Sequence, residues 1–471
     1  MCYNSAMIKN TKIFSFLILV IFLPTVTFAD TASSSSTSGI NTNDINNTST
    51  QPVNIPTIIV QIQNAKNILA STALDHVLAP VYKNVKNSKT KKTTKVISSY
   101  SLIKKEIALA VLDPQTQQTS IVKGWQSGKN MTFNNPDFDI SLVSFNGVNS
   151  KFQINKPNGG TVLALKYLIS KIEKGTKTSI ENSLSEAVYV PYSINLNKPE
   201  IALYGENYIS GIIKNVAEDI KNLPSQSVSG KTIPQAINPS LIRALVYAEH
   251  TDTSVISRGN VNETINQLNI LFATNLGDAY KYSVSSAGAR GIAQFMPATY
   301  NSLVNRHPEA SLISDFVSGM NDHYNSIKAM YLLLDDYAGA VRVKAQNGFA
   351  EGQVFDYGAA SYNGGVARVT KAINTFGQDW NKDQSNLLTS LQSQASSLKS
   401  QVSGIKNKIK NTSDKKTKNA LLSQLNSTNS QLASANSQIQ NIKSGALRNE
   451  TVNYLQKIYK VIPVFNDNIQ I

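Results

Sequence analysis

Cysteine is almost missing from this 471-residue chain: Cys2 is the only one. That scarcity excludes a cysteine hydrolase, a disulfide scaffold and a Cys-ligated zinc site for the body of the chain. Histidine is scarce as well. His76, His250, His307 and His323 form no HExxH or HxxxH spacing, which argues against a helix-borne zinc peptidase. Charge is thin at 16%, against roughly 25% in an average soluble chain, so Asn, Ser, Thr and Gln carry the solubility. Acids are the rarer sign, 30 against 45 Lys plus Arg, for a net +15. The balance suits an anionic partner, whether nucleic acid, an acidic membrane surface or an acidic cell-wall polymer, and does not choose among them. What is present is 41% apolar residues, enough for cores, in a chain long enough for two or three folded units.

Residues 1–29 read as an export signal. Lys9 and Lys12 precede the run 13–23, and Thr27-Phe28-Ala29 supplies small residues before a cut. A run of that length is short of the about 20 residues that span a bilayer, so the expectation is a cleaved signal and a protein of the periplasm or cell envelope. Residues 30–55 are polar and small, a flexible tether.

The body divides into three regions. Residues 56–235 read as a smaller α+β accessory domain, with helices over 65–84, 159–172 and 205–223 and strands over 107–112 and 138–145. Its lysine-rich stretch, Lys83, Lys86, Lys89, Lys91, Lys92 and Lys95, reads as a solvated loop. No aromatic residues interleave there for base stacking, so no nucleic-acid partner is assigned. Residues 236–380 and 446–471 read as a mainly helical domain. Asn238 caps a helix that Pro239 begins, and Ile242, Leu245 and Val246 share a face with Glu249. Residues 381–445 repeat apolar positions in steps of three and four along two equal arms around NTSDKKTK. That pattern predicts an antiparallel coiled-coil hairpin inserted into the helical domain.

Glu249 ends an apolar stripe, where a carboxylate is costly to bury ionised. Such surroundings raise its pKa and suit a general acid. Downstream come a glycine-rich turn, SSAGARGIAQFMPAT from Ser285, then ASYNGG containing Tyr362 and Asn363, then ETVNYL containing Glu450 and Tyr454. Each element alone is weak. In this order they resemble the lytic transglycosylase family with the goose-lysozyme-like fold, over about 237–376 and 447–465. The departures are His250-Thr251 where the family continues E-S-G, and a long insertion before Ser285 that holds a helix at 263–275 and is placed to cap or lengthen the cleft.

The resemblance implies cleavage of peptidoglycan glycan strands between N-acetylmuramic acid and N-acetylglucosamine with Glu249 as the single catalytic acid and base. It implies that Ser285 and Gln294 hold the sugar, that Met296 lines the cleft, and that Tyr362 and Tyr454 orient Glu249. Asn363 is assigned to fixing the Tyr362 turn. No metal or organic cofactor is indicated. The hairpin is read as a docking arm for an envelope or secretion-machine protein. Two alternatives stand beside this reading: a lysozyme-type hydrolase using Asp252 to activate water, and a wall-binding or assembly scaffold without catalysis.

Overall fold

Residues 107–112 and 161–170 carry apolar side chains with almost no polar alternation, so as strands they need cover on both faces. The structure is a computed structural model that describes residues 55–252, 255, 259–345 and 349–465. The expected export signal and all but the end of the tether lie outside those residues. Among the described residues helix α1 (Thr57–Ser71) comes first. Nine strands follow: β1 (His76–Lys86), β2 (Thr93–Leu112), β3 (Thr119–Ser127), β4 (Asn130–Thr132), β5 (Asp139–Ser144), β6 (Lys151–Lys156), β7 (Thr161–Ser170), β8 (Lys174–Gly175) and β9 (Leu184–Tyr189). The short α2 (Lys177–Glu181) precedes β9. The main sheet is antiparallel in the order β4-β3-β2-β7-β9, with β1 and β8 also on β2, while β5 and β6 form a separate ribbon. Ile59, Ile62, Ala65 and Leu69 of α1 cover Ala108, Ala110, Leu163 and Ala164. On the opposite face Ile140, Leu142, Phe152 and Ile154 cover Ile107, Leu109, Val111 and Leu165.

Two expected helices are corrected here. The span 159–172 is strand β7, because burial on both faces removes the alternation that marks a strand. Lys166 sits in it because its Nζ donates to the carbonyls of Ala70 (3.0 Å) and Thr72 (2.7 Å), capping the end of α1. The span 65–84 is split: α1 stops at Ser71 and the rest joins β1, where Pro80 is tolerated because β1 pairs only with β2.

From Pro199 on the chain is helical: α3 (Pro199–Asp219), α4 (Ile233–Ala236), α5 (Pro239–Glu249), α6 (Val261–Asn275), α7 (Pro297–Arg306), α8 (Phe316–Asn321), α9 (His323–Lys344), α10 (Val354–Gly364) and α11 (Val366–Phe376). The arms α12 (Ser385–Lys410) and α13 (Lys415–Gly445) follow, then α14 (Asn449–Val461). The molecule is thus mixed α+β, with the strands confined to its amino-terminal half. Ile327, Met330, Tyr331, Leu334 and Ala338 of α9 form the axis of the helical core.

The inserted helix α6 bridges the two halves. Ile265, Leu268 and Phe272 enter the helical core, and Ile270 and Ala273 the core under the sheet. Asn275 clamps Val190 through both backbone groups, at 2.8 and 3.0 Å. Gly205 of α3 is required because a Cβ there would lie 1.8 Å from the Asn269 carbonyl oxygen. Between α12 and α13, Leu391, Ala395 and Leu398 meet Ala435, Ile439 and Ile442. Asp414 caps α13 by accepting from the Thr417 amide at 2.7 Å. Gly445 brings the root of this helical hairpin against Thr375 of α11.

Candidate active site

Helix α5 starts as its sequence dictates, with the Asn238 side chain accepting from the Ser240 amide (2.9 Å) and Pro239 in the first turn. Ile242 and Ala244 through Ala248 are buried, so the helix runs through the core and delivers Glu249 at its last turn. Glu249 itself is partly buried. Burial pushes its carboxyl up to about 6, against smaller opposing pulls from the Tyr454 hydroxyl and from Lys457. The Tyr454 hydroxyl donates to Glu249 Oε1.

Lys457 is a site residue that the sequence reading missed. It is buried, its Nζ donates to the Thr251 carbonyl at 2.9 Å, and it lies over the Tyr454 ring at 5.3 Å. Burial holds its pKa below the ordinary lysine value, while the charges of Glu249 and Asp252 oppose that shift. One signal was available: Tyr454, Lys457, Ile458 and Val461 fall at i, i+3, i+4 and i+7, so this lysine occupies a core position of the α14 stripe.

The glycine-rich segment is strapped against this end of α5. His250 Nε2 meets the Ile292 carbonyl at 2.8 Å, which fixes that nitrogen as the donor of the neutral ring. The ring stacks on Tyr280 with centroids 3.6 Å apart, and burial depresses its pKa to about 3. The Tyr362 hydroxyl donates to the next carbonyl, that of Ala293. The expectation that Tyr362 orients Glu249 directly is therefore corrected. Tyr454 holds the carboxyl, and Tyr362 holds the loop while staying near enough for its pKa to respond to Glu249. Gly291 (φ 69°) allows the approach, since a Cβ there would lie 2.2 Å from the Met320 carbonyl oxygen.

Gln294 also takes a positive φ and turns its amide nitrogen onto Gly291 O (2.8 Å) and Ser283 Oγ (3.4 Å). Ser285 is exposed, its Oγ accepting from the Ala289 amide at 3.0 Å, and Met296 is 40% exposed just before α7. These two lie at the ends of the segment. Asn363 does not act within its own turn; its Oδ1 accepts from Thr451 Oγ1 at 2.8 Å and ties α10 to α14. Among the described residues no group of three or more His, Cys, Asp or Glu could hold a metal ion, and no helix is long and apolar enough to cross a membrane. Clefts of about 530 and 570 Å³ open elsewhere, beside Arg243 and between β6 and Tyr192, and neither is lined by Glu249.

What the site can do chemically follows from these groups. A carboxyl that stays protonated to near pH 6 can give up a proton, and Lys457 then stabilises the carboxylate left behind. Comparison with protein-family models, with curated proteins and with solved structures finds no match for this chain.

Proposed function

We propose that the protein is a peptidoglycan lytic transglycosylase with a lysozyme-like catalytic core. The observation that carries the reading is Glu249, one carboxyl with a pKa pushed up to about 6 and held by Tyr454, the residue to which the sequence resemblance assigns the catalytic acid. Glu249 gives its proton to the oxygen that links C1 of N-acetylmuramic acid to N-acetylglucosamine, and that C1–O bond breaks. The carboxylate then takes the proton of the muramoyl 6-hydroxyl as that oxygen bonds to C1, which closes a 1,6-anhydro ring and restores the acid. No water enters, so one carboxyl suffices where hydrolases use two.

The test is mass spectrometry of sacculi digested by the chain without residues 1–29. Anhydromuramoyl ends support the reading, reducing ends would make the protein a hydrolase with Asp252 as its second acid, and no cleavage would leave the scaffold reading. The reading places the protein in the periplasm or cell envelope, with glycan strands as substrate and the hairpin as a coiled-coil docking arm. Replacing residues 386–443 by a short Gly/Ser linker should leave cleavage of soluble glycan fragments within about two-fold, because the arms pack mainly on each other. Loss of that cleavage in a folded variant would make the hairpin part of the cleft.

A further inference from the structure

The lysine-rich stretch is a solvated loop only at its tip, where Lys89, Lys91 and Lys92 lie between the strands, while Lys83, Lys86 and Lys95 stand on β1 and β2. It is the far end of the β1–β2 hairpin, where Tyr82 pairs with Ile97, Lys83 with Val96, Asn84 with Lys95, Val85 with Thr94 and Lys86 with Thr93. Every residue in 82–98 is exposed. These five pairs extend as a two-stranded ribbon for roughly 17 Å at 3.3 to 3.4 Å per residue. Its tip is built: Asn87 Oδ1 accepts from the amides of Lys89 (2.9 Å) and Thr90 (3.1 Å), and the Asn87 amide donates to Lys92 O. The ribbon carries six lysines and no arginine, and no acid occurs between His76 and Glu106.

Four apolar side chains stand among those lysines, Tyr82 at 56% exposure, Ile97 at 49%, Val85 at 42% and Val96 at 39%. Directly paired residues share a face, so Tyr82 and Ile97 lie on one face and Val85 and Val96 on the other. A soluble polyanion would satisfy the lysines and leave these four in water. An anionic lipid surface takes lysines together with the apolar pair of the face that meets it, Tyr82 and Ile97 being the more exposed of the two pairs. Its headgroups attract lysine within a Debye length, and aromatic and branched apolar side chains settle at the boundary between headgroup and acyl chain. Lysine also suits a diffuse negative surface, since its compact charge lacks the fork with which arginine grips a single phosphate.

We propose that the β1–β2 ribbon docks the protein on an anionic lipid surface. The experiment uses the chain without residues 1–29, whose apolar run would itself enter a bilayer. Sedimentation with vesicles of phosphatidylcholine alone is compared with vesicles in which about a third of the lipid is phosphatidylglycerol. Binding should be at least about ten-fold tighter to the anionic vesicles and should weaken with salt. Changing Lys83, Lys86, Lys89, Lys91, Lys92 and Lys95 together to Gln should return it to the neutral-vesicle level, and Tyr82→Ser with Ile97→Ser should weaken it several-fold at constant charge.

Removal of Cys2 leaves no thiol, so Tyr82→Cys carrying a polarity-sensitive dye reads insertion directly, as a blue shift on anionic vesicles only. The inference is overturned if the protein ignores anionic vesicles or if the six-fold Gln variant, folded by circular dichroism, binds them as well as wild type. It is also overturned if the serine variant and the dye report no change, because the ribbon would then be a binder of polyanions at large.

Discussion

Helix α14 sets a tyrosine beside each of two carboxyl groups, and the two places differ in what surrounds the pair. Tyr454 donates to Glu249 of α5, while Tyr459 stands beside Asp356 of α10, near enough to pull its carboxyl pKa down against burial. Burial pushes both carboxyls up to about 6. Around Glu249 stand Lys457 and a strapped glycine-rich segment. Beside Asp356, Tyr357 and Trp380 both donate to Gln353, at 2.8 and 3.3 Å, at the root of the hairpin. A raised carboxyl pKa therefore does not by itself mark the chemistry. The lysine and the close-approach loop separate the proposed site from a buried joint.

The sharpest way to break this distinction is to remove each acid in turn. Glu249→Gln keeps size and an acceptor for Tyr454 but has no proton to give. Cleavage of sacculi should fall by about 10² to 10⁴. Asp356→Asn should leave the rate within about two-fold. A clear loss in the second variant, with the fold intact by circular dichroism, would merge the two places into one site.

The lysine gives the next largest contrast. Lys457→Met removes a positive charge that lowers the Glu249 pKa, so that pKa should rise. A general acid works below its pKa, so the alkaline limb of kcat/KM should move up from near pH 6 by about one unit. The maximal rate should fall about ten-fold, since the carboxylate formed in the first step loses its counter-charge, while Lys457→Arg should hold the limb near its wild-type position. Unchanged limbs in both variants would reduce Lys457 to a capping group for Thr251.

The tyrosines should divide more finely. Tyr454→Phe removes a hydrogen bond that favours the charged carboxyl, so the limb should move up by a fraction of a unit and the rate fall several-fold. Tyr362→Phe orphans the Ala293 carbonyl instead, which should raise KM and leave the limb in place. Tyr459→Phe should do neither. A limb that moves in Tyr362→Phe would return that hydroxyl to the carboxyl.

Elements with a single competing reading were legible in the sequence. The Asn238-Pro239 start, the stripe ending at Glu249, helix α6 and the two arms of the hairpin all follow from local caps and period. Strand β7 was not, because cover on both faces leaves an apolar run with no alternation, and Lys166 then mimics a helical polar face. The site was half legible. Glu249, Tyr454 and the glycine-rich segment lie in recognisable runs. The His250 and Tyr362 straps depend on which carbonyls the folded loop presents, and no spacing encodes that. Lys457 stood in plain view at a core position, but lysine is so common on helix surfaces that its place in the stripe carried little weight. Asp356 gave no signal, since its burial is created by α14, about a hundred residues later.

The smallest effect expected is one that both acids share. Each carboxyl has a folded pKa above its unfolded value, 4.5 for Glu249 and 3.8 for Asp356. Between those values the folded chain keeps a proton that the unfolded chain has lost. Stability therefore falls as pH rises through that window, and the full penalty is reached above pH 6. At 1.36 kcal/mol per unit the cost is on the order of 2 kcal/mol for Glu249 and 3 kcal/mol for Asp356. Gln or Asn cannot ionise, so Glu249→Gln and Asp356→Asn should each unfold at higher denaturant than wild type at pH 8. The gain should shrink as the pH drops from 6 to 4. Urea titrations at pH 4, 6 and 8 read it directly. A gain at Asp356 that does not change with pH would mean that its folded pKa is not raised and that the gain has another source. A gain at Glu249 without one at Asp356 would show strain at the proposed site alone, and the two pairs would no longer be comparable.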